Sequence, residues 1–397
     1  IRHKYIHPVS IRAYLRPFFC VFEFFHQICF TIMRANIIKF SKPETGDFFT
    51  TLNRRVNDYF VENKISRHAN AAMIFKTIFM LLLYFVPVVL IITATVTSPW
   101  MVFAMWCLAG LGVSGIGLSV MHDANHGAYS RKQSINNMLG YTLNFLGGNM
   151  MNWKIQHNVL HHSFTNVDGY DEDIEPRKAL RFSPHHPWMK HHRYQHIYAW
   201  PLYALMTIMW ITIKEFKQIN RWKEEGIIEA QGRTYGGLLA ELIVSKSVYY
   251  VYALVIPLLV SPVAWWVTVL GFIAMHLISG LILALVFQPA HVVPEADFPL
   301  APEDGNMESS WAIHQLHTTC NFAPRNRILS WFVGGLNHQI EHHLFPNICH
   351  IHYKKLSPIV KQTAKEFGLP YHEMPTFRSA LYHHGQQLYN MGHLQPA

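Results

Sequence analysis

Between Ser247 and Pro294 the chain contains no Asp, Glu, Lys or Arg. A run this long and apolar leaves no polar face to meet water, so it constrains the chain to a membrane. Ser261-Pro262 divides the run into two candidate spans, about 236–260 and 263–287. Thr77–Val96 and Trp100–Met121 are also uncharged and are separated only by Thr97, Ser98 and Pro99. They define spans over about 71–97 and 100–121 joined as a tight hairpin. The third span carries Glu241 and Lys246 near its entrance, where they are expected to pair or to snorkel. With 50% hydrophobic and only 14% charged residues, a string of soluble domains is excluded. Cys20, Cys29, Cys107, Cys320 and Cys349 show no CxxC spacing, so neither a disulfide framework nor a thiolate metal site is expected.

Charge sets the expected topology. The hairpin loops near Ser98 and Ser261 lack Lys and Arg, whereas the segments before span one, between spans two and three, and after span four are rich in them. Those basic segments are expected in the cytoplasm, with both termini. Within the long segment between spans two and three, Asn137–Met151 and Ala199–Ile213 are apolar but too short to span, and they read as interfacial or re-entrant helices. The basic residues Arg177, Lys178, Arg181, Lys190 and Arg193 are expected on a solvated cytoplasmic face.

Three histidine clusters flank the apolar runs: His122-x-x-x-His126, His157-x-x-x-His161-His162, and Gln339-x-x-His342-His343. Residues three or four apart share a helical face, so each cluster is expected to aim its imidazoles in nearly one direction. So many ligands exceed one four-coordinate zinc and point to a pair of transition metals. His338 gives the third cluster a second spacing, His338-x-x-x-His342-His343, and leaves open which of 338 and 339 completes it. Asp123, Asp171, Asp173 and Glu341 are candidates to orient the imidazoles. His185-His186, His191-His192 and His383-His384 lie in polar or Pro-containing stretches and are expected on the surface.

The stretches MHDANHGAYS, NWKIQHNVLHHSFTN and GGLNHQIEHHLFPNICHIHY closely resemble the three boxes of the membrane-bound fatty acid desaturases, and the Gln in the third is similar to the front-end branch. The resemblance covers roughly residues 35–395. It implies an all-α integral membrane protein, with four spans in two hairpins and a cytosolic helical cap over 122–235 and 291–397 that holds two non-haem irons. The implied ligands are His122, His126, His157, His161, His162, His342 and His343, with Gln339, and with His291 after span four. His276 is expected to be packed within the membrane, and His314 and His317 to support ligands from behind. The implied activity is O2-dependent insertion of a double bond into an acyl-CoA or phospholipid acyl chain, since taking hydrogen from an unactivated methylene demands an oxidant that a di-iron pair can generate from O2 and two electrons.

No His-Pro-Gly-Gly cytochrome motif, Gly-rich dinucleotide fingerprint or cysteine cluster is present; His7-Pro8 is followed by Val-Ser. A separate ferredoxin, or a b-type cytochrome with its reductase, is therefore expected as electron donor. The formal net charge of +9 favours an acidic carrier or a membrane surface, and no nucleic-acid partner is expected. Met33 resembles a family start, so residues 1–32 are expected to be an upstream extension, 33–70 a cytosolic N-terminal segment, and 71–397 the desaturase domain. A di-iron lipid hydroxylase or a sphingolipid long-chain-base desaturase would use the same ligands. A membrane metal transporter would put more ionisable groups inside its spans.

Overall fold

The computed structural model describes residues 38–42, 47–175 and 177–394. The expectation of an extension before Met33 falls outside them. Among the described residues, four helices are long and apolar enough to cross a membrane: Ala71–Ile92 (span one), Pro99–Asn125 (span two), Tyr235–Val260 (span three) and Trp265–His291 (span four). Asn70 caps span one through its side chain, which accepts the Met73 N–H, and Pro99 opens span two at the position where a missing N–H costs nothing. Spans one and four both pack against span two, the most enclosed of the four. Two spans run further than hydropathy suggests. Span two continues through His122, and span four ends on His291 itself.

Glu241 and Lys246 are paired, though not with each other. Lys246 Nζ lies 2.8 Å from the buried Glu215 carboxylate, while Glu241 meets Arg233 at 2.9 Å. Glu215 belongs to the second half of a bent helix pair, Lys190–Ala204 and Met206–Glu224, with a 60° bend between them. This pair contains the apolar stretch 199–213 and has the form of a broken span or a re-entrant loop. The stretch 137–151 is not one helix. It breaks into Gln133–Gly140 and Thr142–Phe145, with Met138, Tyr141 and Phe145 exposed.

Outside the spans, the helix Phe48–Glu62 starts at Asp47, whose side chain accepts the Thr50 N–H at 2.8 Å. Phe48, Leu52, Val56 and Phe60 recur every four residues and form one buried stripe. That stripe packs with Leu356 and Val360 of the helix Tyr353–Glu366 and with Ile340 and Leu344 of the helix Gln339–Leu344. The third histidine cluster is thus clamped from behind by apolar contacts. Among the described residues the fold is all-α apart from two short parallel ladders, Lys39–Ser41 with Asn306–Ser310 and Asn321–Phe322 with Glu373–Met374.

Candidate metal centre

Each cluster sits where a helix departs from regular geometry or ends. Span two widens into a π-helix at Ile116–Val120 and recovers an α-turn over Met121–Asn125, which presents His122 and leads to His126. Asn149 starts the second cluster's helix by accepting the Met151 and Asn152 N–H groups, and a π-helix then runs from Lys154 to His161. Wider π-turns are a common device at functional sites because they re-aim side chains without breaking the helix.

The eight histidines converge from four separate segments. Ring nitrogens of His122, His126, His157 and His342 lie within 4.8 Å of one another, and so do those of His161, His291 and His343. His162 joins them: its Nε2 is 3.2 Å from His157 Nε2 and 3.0 Å from His342 Nε2, and with His342 and His343 it forms a third group within the same limit. The first box keeps to one group, as expected, whereas the second and third each contribute to more than one. The second box contributes to both groups, His157 to the first and His161 to the second, although their rings stack at 5.2 Å and both face Asp173. His342 and His343 divide because neighbours on a helix point about 100° apart.

The donor set fits metal. His126 Nε2, His161 Nε2, His291 Nε2 and His343 Nε2 are buried without a hydrogen-bond partner, an arrangement that costs free energy unless something accepts their lone pairs. The opposite ring atoms are held. His161 Nδ1 donates to Asp171 Oδ2 at 2.9 Å, His291 Nδ1 to the Thr318 carbonyl at 3.2 Å, and His343 Nδ1 to Gln315 Oε1 at 2.9 Å. His342 Nδ1 lies 3.2 Å from the Tyr353 hydroxyl. Protonating Nδ1 leaves the Nε2 lone pair free to face a metal. Burial, reinforced by neighbouring imidazoles, holds His126, His157, His162, His342 and His343 well below the usual histidine value, so they are neutral donors. At His161 burial opposes the charge, but Asp171 and Asp173 outweigh it and raise the value.

Among the candidate orienting carboxylates, Asp171 holds His161, and Asp173 lies 3.9 Å from His157. Asp123 and Glu341 serve other partners. Asp123 Oδ2 accepts from His350 Nδ1 at 2.9 Å, and Lys76 Nζ donates to the far side of that ring at 2.8 Å. The Asp123–Cys349–His350 group thus has both nitrogens of its imidazole engaged by side chains. Glu341 accepts from Asn321 and Tyr371, both at 2.8 Å. Gln339 lines the same cavity as His122, His157 and His342, whereas His338 is buried away from it with neither ring nitrogen bonded.

His276 is packed mid-span, its Nε2 accepting from Tyr249 Oη at 2.6 Å. His314 donates to the Thr165 carbonyl and stands behind the centre, but His317 does not; it is exposed and pairs with Asp297 at 3.1 Å. Three further surface expectations are overturned. His384 is fully buried between Tyr203 Oη at 2.6 Å and the Val292 carbonyl at 2.8 Å, and His192 is buried against the Lys178 carbonyl. Arg181 is buried with its guanidinium donating to the carbonyls of Pro184, His186, Met391 and Leu394, so it closes a loop rather than facing solvent. Sequence reasoning missed Gln315, Tyr353 and Asn166. Asn166 adopts φ 59°, a left-handed conformation Asn tolerates, and thereby gives its N–H to Asp171 and its side-chain amide to the His291 carbonyl. Only its place within HHSFTN hinted at this.

A cavity of about 700 Å³ opens from His122, His157, Gln339 and His342. Val113, Gly117, Leu118 and Met121 of span two and Leu283 and Phe287 of span four give it apolar walls, while Lys214, Lys217, Gln218 and Arg221 share its polar lining with Glu172, Asp173 and Glu175. A family model described as fatty acid desaturase matches residues 98–375, which include all three boxes. The chain belongs to the fatty acid desaturase family. The sn-1 linoleoyl-lipid 6-desaturase of Arthrospira platensis is 38% identical across 88% of this chain and 94% of its own length. That of Synechocystis is 35% identical across 91% and 99%, and the acyl-lipid (8-3)-desaturase of Physcomitrium patens is 34% identical across 97% and 80%. This desaturase is a membrane-bound oxidoreductase that uses O2 to place a double bond in a fatty acyl chain, and its histidine clusters are those of a di-iron site.

Proposed function

We propose that the chain is a front-end acyl-lipid desaturase. The observation that carries this is the cavity: it joins metal-facing imidazoles to apolar faces of two spans, and Lys214 and Lys217 stand among its polar lining residues. Its size is that of a pocket enclosing one acyl chain. Lys214, Lys217 and Gln218 lie three and four residues apart on one helical face, suited to an ester and phosphate headgroup at the membrane surface. The named activities of the cyanobacterial and moss relatives, all on acyl lipids, support the same substrate class over acyl-CoA.

In this reading His122, His126, His157 and His342 hold one iron, His161, His291 and His343 hold the other, and His162 stands between them, with Gln339 beside the first. Iron held there would supply, with O2, the oxidant for removing two hydrogens from adjacent carbons, and two electrons and two protons would complete the reduction of O2 to two waters. The protein's own share is to fix imidazole tautomers, exclude water with Trp153 and Phe287, and hold the chain against the histidines. The electrons come from a separate ferredoxin or b-type cytochrome. The spans form two hairpins with the termini and the cap, 122–235 and 291–397, in the cytoplasm, and the desaturase domain covers 71–397. The test is expression in a host of known lipid composition, followed by mass spectrometry of its phospholipid, glycolipid and acyl-CoA pools. A new double bond appearing first in intact lipids is expected. A product first seen as acyl-CoA overturns the substrate class, and a hydroxylated product overturns desaturation.

A further inference from the structure

Lys76 stands in the second turn of span one, yet its side chain is buried rather than turned to water. An amine buried in a membrane helix is costly, so its partner shows what it serves. Lys76 Nζ donates to His350 Nε2 at 2.8 Å, and the opposite ring nitrogen, Nδ1, donates to Asp123 Oδ2 at 2.9 Å. The His350 backbone N–H reaches the same oxygen at 3.1 Å. Asp123 immediately follows His122, in the α-turn Met121–Asn125 by which span two resumes after its π-helix. The rotation of that turn about the helix axis decides where His122 and His126 point. Asp123, about 100° round from His122, is placed to pin it from the far side.

The segment that carries His350 also reaches the third cluster. The Cys349 N–H donates to the Arg67 carbonyl at 2.9 Å, just before span one, and the Tyr353 hydroxyl lies 3.2 Å from His342 Nδ1. His122, His126 and His342 belong to one group of imidazoles, with His157. The bonds behind the other group run elsewhere, from His161 to Asp171, His291 to the Thr318 carbonyl and His343 to Gln315. We propose that the segment 349–353 positions the ligands of the first iron: His350 sets the His122–His126 turn through Asp123, Tyr353 sets His342, and Lys76 holds His350 in place from span one. The proposal rests on the di-iron reading of the two groups. Lys76, His350 and Tyr353 are positioning residues, acting through Asp123 and His342. A purely mechanical role, fastening span one to the third cluster, would lower stability without changing how iron binds.

The experiment titrates ferrous iron, without oxygen, into the iron-free full chain in detergent and into the variants Lys76→Met, His350→Gln, Tyr353→Phe and Lys76→Met/Asp171→Asn. The readouts are the midpoint of uptake for each iron and the unfolding temperature of the iron-free protein. Lys76→Met and His350→Gln are expected to raise the midpoint of one iron about tenfold or more, and Tyr353→Phe to raise that of the same iron by less. In the double variant both midpoints are expected to rise, because Asp171 supports the other group. Tyr353→Phe removes one oxygen and leaves its ring packed, so it reports even if Lys76→Met or His350→Gln fails to assemble. Unchanged midpoints in Lys76→Met and Tyr353→Phe, with only a lower unfolding temperature, overturn the proposal. A double variant that keeps one midpoint at the wild-type value also overturns it, since both supports would then stand behind one iron. A wild-type chain that takes up no second iron overturns the di-iron reading itself, and the wild-type titration tells that failure from the others.

Discussion

Asp171 Oδ2 accepts His161 Nδ1 at 2.9 Å and the Asn166 N–H at 2.9 Å, with both side chains of the His161–Asp171 pair fully buried. Asp171 thereby fixes the tautomer of one imidazole and, through Asn166, the turn that bonds the His291 carbonyl. Two residues of the same cluster depend on it. Asp171→Asn is expected to lower activity by about 10- to 100-fold, the usual cost of removing a partner behind a metal ligand. The wild-type protein should hold about two irons per chain. The variant should lose iron preferentially from one position, approaching half the wild-type content by metal analysis. Full iron with unchanged activity would mean that Asp171 does not support the centre.

Proton linkage gives a second expectation. Burial keeps His126, His157, His162, His342 and His343 neutral in the fold, whereas in the unfolded chain they bind protons at about pH 6.5 and below. A folded state that binds fewer protons loses stability as pH falls, so stability is complete above about pH 6.5 and declines below it. His161 runs the opposite way, since burial is outweighed there by Asp171, but it is one group against five. The unfolding temperature of the iron-free protein in detergent should therefore drop between about pH 7 and 5.5. A flat or rising profile would show that these rings are not buried as neutral groups.

How much of this was legible in sequence follows from the physics of each feature. The spans declared themselves because membrane burial demands a length of apolar residues, and the boxes because ligation restricts residue type and spacing. Which group each histidine of the second box joins was not legible, since it depends on His291, His342 and His343, which are remote in the chain. His384 looked like a surface residue because its partners, Tyr203 and Val292, are remote in the chain. Arg181 misled for the same reason, with two of its carbonyl acceptors at Met391 and Leu394.

His384 yields a third prediction that reverses its surface assignment. Burial pushes its value down to about 4, so the ring is neutral, receiving the Tyr203 hydroxyl proton and donating to Val292. His384→Ala leaves a void and two unpaired buried groups, a loss of about 2 kcal/mol or more. Folded protein should accumulate less and unfold at lower temperature, while iron per folded chain stays unchanged. His185→Ala removes an exposed ring and should alter neither. Equal stability of the two variants would contradict the burial of His384.

The third box supplies the last prediction. Gln339 and His338 are adjacent, yet only Gln339 lines the cavity with His122, His157 and His342. His338 is buried with both ring nitrogens unbonded, burial and Lys354 holding it down to about 4, and Glu341 no nearer than 3.8 Å. An apolar ring of similar size removes those unpaired atoms, so His338→Phe should keep activity and unfold no earlier than wild type. Gln339→Ala should remove most activity while leaving the unfolding temperature nearly unchanged, because the amide faces the cavity rather than the core. Gln339→His should retain part of the activity, since imidazole can stand where the amide oxygen does. If instead His338→Phe is inactive with reduced iron and Gln339→Ala is active, the donor in this box is His338.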